Sequence, residues 1–174
     1  MSIEKTNTSK KVRGFTLIET LVAVSVLLIS LTGPLSIATQ SLNSAYYARD
    51  QITAFYLAQE AVEYVRAVRD ENYLRNRGWL TGLNNCVDTK CTINFPDFNH
   101  NPCGSTCGPV LINRNNELFG DNVGDPTIYT RSMLLETIPG YPDEITIRVV
   151  VSWKTGGLNR QFTISEQLLN WLDY

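Results

Sequence analysis

The chain has 174 residues, of which 43% are hydrophobic and 18% charged, with a formal net charge of −2. That length holds about one domain with one modest core, and the balance excludes an intrinsically disordered chain. The charge is uneven: Lys5, Lys10, Lys11 and Arg13 stand against Glu4 in residues 1–14, a balance of +3 that leaves −5 for the rest. Because the basic cluster directly precedes an apolar run, it reads as membrane targeting with its basic side in the cytoplasm, and not as a nucleic-acid footprint.

From Phe15 to Ala48 the only charged side chain is Glu19. Phe15 to Thr32 is nearly continuous apolar or small sequence, about 27 Å as a helix, against a hydrocarbon core of about 30 Å. Gly33-Pro34 interrupts the run, and proline's missing donor predicts a bend or melted turn near 34. Leu35, Ala38, Leu42, Ala45, Ile52, Phe55, Val62 and Val65 then recur mostly at three- and four-residue steps. Gln40, Asn43, Asp50 and Glu60 take the opposite face, and Glu63–Arg66 and Arg66–Asp70 are spaced for surface pairs. With no Gly or Pro from Leu35 to Arg77, the pattern predicts one helix from Phe15 to about Tyr73, about 88 Å if straight. Its membrane half is 15–34 and its amphipathic half 35–77. Tyr46, Tyr47, Phe55 and Tyr56 read as packing residues on the helix.

Residues 78–127 are rich in Asn, Gly, Pro, Asp and Cys, a long loop region. Cys86, Cys91, Cys103 and Cys107 fall within 22 residues there. An even count in an exported loop favours two disulfides, with three pairings open. A zinc site using His100 is the weaker reading, because the spacings miss the usual C-x2-C knuckle. Asp121, Asn122 and Asp125 offer oxygen ligands to calcium, but Asp and Asn are also turn residues. The expectation is therefore no cofactor, with calcium as the alternative. His100 reads as solvated, and Ser105 has no base placed to activate it, so no enzyme is expected.

The C-terminal part, 128–174, alternates. Ile145, Ile147, Val149, Val151 and Trp153 share one strand face, and Phe162, Ile164 and Leu168 share another. Ile128–Ile138 is a third strand, and short links predict an antiparallel meander whose apolar face the amphipathic helix covers. Trp153 and Trp171 read as core or rim. The expected class is α+β.

Three readings of the N-terminus compete. One is a plain anchor; another is an ordinary signal peptide with a small-x-small pattern at Pro34–Ala38; the third is a segment cut between Gly14 and Phe15 with the apolar stretch kept. Glu19 decides among them. A carboxylate costs about 2.5–3.5 kcal/mol near the bilayer centre and less towards the surface, and neither of the first two readings has use for it. Its partner should be a cation at the same depth. Cleavage after Gly14 creates one, the α-amino group of Phe15, available within one subunit or between staggered neighbours.

Gly14-Phe15-Thr16-Leu17-Ile18-Glu19 followed by Leu21-Val22-Ala23 resembles the class III signal of type IV prepilins and type II secretion pseudopilins. The resemblance is specific over residues 11 to about 34 and extends loosely to Tyr73 through Leu57–Arg66. It implies cleavage between Gly14 and Phe15 by a prepilin peptidase, which removes residues 1–14 as a leader, and N-methylation of Phe15. It implies that Glu19 serves methylation or assembly, and that the fold is a long N-terminal helix on an antiparallel sheet. Implied partners are other pilin or pseudopilin subunits, the prepilin peptidase, a membrane assembly platform and, before assembly, membrane lipid. The implied location is the bacterial inner membrane and then an extracytoplasmic filament. Three features depart from the family: Pro34 sits slightly early; no glycine-proline motif follows the helix, which favours a minor subunit; and the cysteines lie before the sheet, where other pilins close a variable region with a C-terminal disulfide. The alternative is a filament-tip adhesin or recognition module, with 78–127 as its recognition surface.

Overall fold

The computed structural model describes residues 14–120 and 122–170, so the basic residues up to Arg13, Asp121 and Trp171 lie outside the described residues. The chain forms two compact units that meet in sequence at Tyr46 and Tyr47. Helix α1, Leu17–Leu74, begins in the first and ends in the second. It is assigned helical without interruption through Gly33-Pro34, where a melted turn was one expectation. Pro34 removes one ladder donor, and elongation on either side, once a helix is nucleated, tolerates that loss. The end of α1 is built by Asn76, whose left-handed φ of 51° lets Arg77 N–H reach the Asn72 carbonyl at 2.9 Å and Asn76 N–H the Tyr73 carbonyl at 3.0 Å. This is a Schellman arrangement with asparagine in glycine's place. The buried Asn72 side chain then donates to the carbonyls of Trp79 and Thr81, at 3.2 and 2.7 Å, and folds the following turn back on the helix.

In the second unit, a short 3-10 turn (Asn84–Cys86) is followed by seven strands: β1 Cys91–Asn94, β2 Asn99–Pro102, β3 Pro109–Ile112, β4 Phe119–Gly120, β5 Asp125–Ile138, β6 Tyr141–Thr155 and β7 Leu158–Leu169. All pair antiparallel. The expected meander is β5–β6–β7, its second hairpin closed by Gly156-Gly157 with φ of 58° and 83°, the two positive values a twisted two-residue turn needs. The other edge of β5 carries β3 near Pro126–Thr130 and β1 at Met133, with β4 beyond β3 and β2 beyond β1. The meander is thus extended by four strands drawn from the region read as loop.

The core lies between the sheet and α1. Ile145, Ile147, Val149, Val151 and Trp153 are all buried, as their alternation predicts, together with Met133, Leu135 and Leu168. The helix side of the core corrects the expected face. Of the positions named from Ile52 on, Val62 and Val65 are buried, but Ile52 is 57% and Phe55 38% exposed. The buried stripe is Ala54, Leu57, Ala58, Ala61, Val62 and Val65, where alanines let the backbone approach the sheet closely. Asp50, placed on the polar face by its charge, is 4% exposed, and its carboxylate accepts from Thr155 Oγ1 at 2.8 Å. Glu60 turns inward as well. It pairs at 2.5 Å with the buried guanidinium of Arg131, which also donates to the carbonyls of Leu57 and Ile93. Of the two helix pairs, Glu63–Arg66 forms, while Asp70 pairs with Arg69 and Arg66 reaches Glu166 on β7.

Candidate functional site

Three features of the N-terminal segment bear on its chemistry. First, Gly14, Phe15 and Thr16 precede the helix, so the Gly14–Phe15 peptide bond lies outside any helical hydrogen-bond ladder. Gly14 is exposed, and a Cβ built on it would meet nothing within 4 Å. Neither space nor a left-handed φ calls for glycine there.

Second, Thr16 caps α1. Its carbonyl accepts from Glu19 N–H at 3.1 Å and Thr20 N–H at 3.2 Å, and its hydroxyl lies 3.4 Å from the Glu19 amide. Thr16-x-x-Glu19 is the spacing of a capping box, in which the acid at the third helical position also favours the positive end of the helix dipole. The membrane-charge reading of Glu19 overlooked this local role, although the spacing alone was the signal for it.

Third, the first unit's helix has apolar side chains exposed all round, from Leu17 and Ile18 through Leu35 to Leu42. It is long and apolar enough to cross a membrane. Five of its hydroxyls are satisfied within the helix: Thr20, Ser25, Ser30, Thr32 and Thr39 each donate to a carbonyl three or four residues back at 2.8–3.0 Å. In hydrocarbon, an unsatisfied polar group costs several kcal/mol. Glu19 is the one charged side chain from Phe15 to Ala48, and among the described residues no cation pairs with it.

The cysteine region is stapled twice. Cys86 bonds Cys91, Cα–Cα 5.6 Å and both wholly buried, and ties the 3-10 turn to β1. Cys103 bonds Cys107, Cα–Cα 4.9 Å, and closes the exposed turn between β2 and β3. With both thiol pairs joined, the zinc reading loses its ligands. His100, expected to be solvated, is instead half-buried on β2. Its Nδ1 accepts from the buried Tyr64 hydroxyl of α1 at 2.8 Å, and its Nε2 donates to Asn85 Oδ1 at 2.9 Å. Burial holds the imidazole below its ordinary pKa against the opposing effect of a hydrogen bond with the Gly82 backbone, and burial raises the Tyr64 hydroxyl. The histidine is a clasp between β2 and α1. Of the calcium ligands considered, Asn122 donates to Asp97 at 3.0 Å and Asp125 pairs with Arg114.

Compared with known families, residues 9–33 match the prokaryotic N-terminal methylation motif, the class III prepilin motif of type IV pilin-like proteins. That motif marks structural subunits and not an enzyme family. No curated protein and no solved structure matches the chain.

Proposed function

We propose that the chain is a minor structural subunit of a type IV pilus or a type II secretion pseudopilus, polymerising through α1 once a prepilin peptidase has cut between Gly14 and Phe15. The observation that carries the reading is Glu19, the lone charged side chain of the apolar stretch Phe15–Ala48, which begins with the methylation motif. Cutting after Gly14 frees the Phe15 amine next to the helix start, and the same enzyme methylates it. In the membrane the helix is covered by lipid; in the filament, neighbouring helices replace the lipid. There a subunit's Glu19 meets the amine of the next, in a low-dielectric setting where a mispaired charge is costly, and this sets the axial register. Gly14 supports the cleavage site. Nothing in the fold's own packing or backbone requires glycine there, which is the expectation when the requirement comes from a peptidase cleft. The second unit stands on the outside of the filament.

The capping box makes the charge pair testable by itself. The observed cap bond joins the Thr16 hydroxyl to the backbone amide of residue 19, and glutamine also suits that box position, so Glu19→Gln keeps the cap and the side-chain size and removes only the charge. In a cell expressing the rest of the filament system, Glu19→Gln protein should be inserted and cleaved, yet absent from sheared filaments probed by immunoblot. Incorporation at the wild-type level would overturn the register mechanism.

A further inference from the structure

The second unit holds a small cavity unconnected with α1's apolar half, and we infer that it is a binding pocket for a neutral sugar, one hexopyranose residue in size. The cavity, about 210 Å³, lies between the β1–β2 turn, the β3–β4 turn and Val123. Its polar wall is Asn94, Asp97, Asn113 and Asn116, and Leu118 and Val123 form its apolar side.

The hydrogen bonds already made decide what the pocket offers. Asn113 Oδ1 accepts from the Asn115 amide at 2.9 Å, and Asn116 Oδ1 from the Leu118 amide at 3.1 Å. The oxygen end of each side chain thus already accepts one backbone N–H, which fixes the amide, and its NH₂ end is left to donate. Asp97 Oδ2 accepts from Asn94 Nδ2 at 2.6 Å and Asn122 Nδ2 at 3.0 Å, which fixes the carboxylate and leaves Oδ1 as acceptor. Among the described residues, no cation pairs with Asp97.

This set selects by chemistry. An anion is repelled by Asp97, with no cation among the described residues of the pocket wall to offset it. A hard cation needs several oxygen ligands and prefers more than one carboxylate, and Asp97 is the single carboxylate among the described residues of the wall. An apolar ligand would strand the carboxylate and the amides. A hydroxyl both donates and accepts, so vicinal hydroxyls can give to Asp97 Oδ1 and take from Asn113 and Asn116. The C–H face of a pyranose ring then covers Leu118 and Val123. The pocket is held by its surroundings. Phe98 and Glu117, in the two turns that bound it, have positive φ of 49° and 58°, which non-glycine residues adopt at a cost. Gly120 lets the buried Asn94 side chain lie against the backbone, where a Cβ would come within 2.7 Å of Asn94 Oδ1.

The test uses the full chain in detergent micelles and saturation-transfer NMR. The probes are free glucose, galactose and mannose, their methyl glycosides, glucuronate and calcium chloride, each up to about 50 mM. At least one neutral hexose should bind, and Asp97→Asn, which keeps size and packing, should weaken it about tenfold or more. Binding of a methyl glycoside would identify a residue within a glycan chain, and binding of the free sugar alone a soluble one. Preference for glucuronate, a response to calcium but not to sugars, or no response to any neutral hexose would each overturn the assignment. So would unchanged affinity in an Asp97→Asn variant whose near-UV circular dichroism matches the wild type. The outcome is independent of how residues 9–33 act.

Discussion

Arg131→Met tests how the second unit is held together. Arg131 is 2% exposed and bridges three elements: Leu57 and Glu60 of α1, Ile93 of β1, and its own strand β5. Methionine fills much of the same volume, so the cavity contribution is small. The loss falls on the groups left behind. The Ile93 carbonyl, on a residue 1% exposed, loses a charged donor, and a buried group left short of a partner costs about 1–3 kcal/mol. The Leu57 carbonyl keeps its place in the helix ladder, and Glu60, at 24% side-chain exposure, can turn towards water, so these add less. The expected total is about 2–4 kcal/mol, or roughly 8–16 °C in Tm at about 4 °C per kcal/mol for a unit of this size. Thermal unfolding of the full chain in detergent, followed by near-UV circular dichroism, measures it. Adding Glu60→Leu should recover part of the loss, because replacing both members of a buried pair removes the stranded charge. A Tm within about 2 °C of wild type for Arg131→Met alone would refute the reasoning.

Two further predictions concern the cysteine region. His100 is the only histidine, and its folded pKa is depressed, so the unfolded chain binds the proton more readily. Stability should therefore be full above about pH 6.5 and fall as the pH drops through the folded value. The Tm difference between wild type and His100→Gln, measured at about pH 7.5 and about pH 5, isolates this effect from the carboxylates; no change in that difference would contradict it. Under a mild water-soluble reductant, Cys103–Cys107 should open first and Cys86–Cys91 only on unfolding, since the former closes an exposed turn and the latter is buried. Alkylation and peptide mapping would show two labels, then four; simultaneous labelling would count against it.

The parts of the fold set by period or by punctuation were readable in the sequence. The strand face from Ile145 to Trp153, the Gly156-Gly157 turn and the helix end near Tyr73 all follow from residues that act locally. The phase of the helix was not, because large apolar residues at 52 and 55 outweigh alanines in any hydropathy pattern, while close approach to a sheet favours Ala54, Ala58 and Ala61. Asp50, Glu60 and His100 were placed in solvent by their polarity. Their partners, Thr155, Arg131 and Tyr64, lie 105, 71 and 36 residues away, and no local signal joins them. The strands β1 to β4 are two to four residues long, too short for alternation to register. At the N-terminus the motif was legible because its chemistry is local: an acid, a glycine and an apolar run in fixed order. The capping spacing of Thr16 and Glu19 was equally local and was hidden only by the more conspicuous charge.

The proposed cleavage makes Gly14 the last residue of a leader and Phe15 the first of the working subunit. Intact-mass spectrometry of the protein extracted from membranes of its native host tests it directly. The expected mass is that of a protein beginning at Phe15, with one added methyl group on the terminal amine and four hydrogens fewer than the reduced form because of its two disulfides. A mass retaining residues 1–14, or one beginning near Thr39 as an ordinary signal peptidase cutting after Ala38 would leave it, would contradict it.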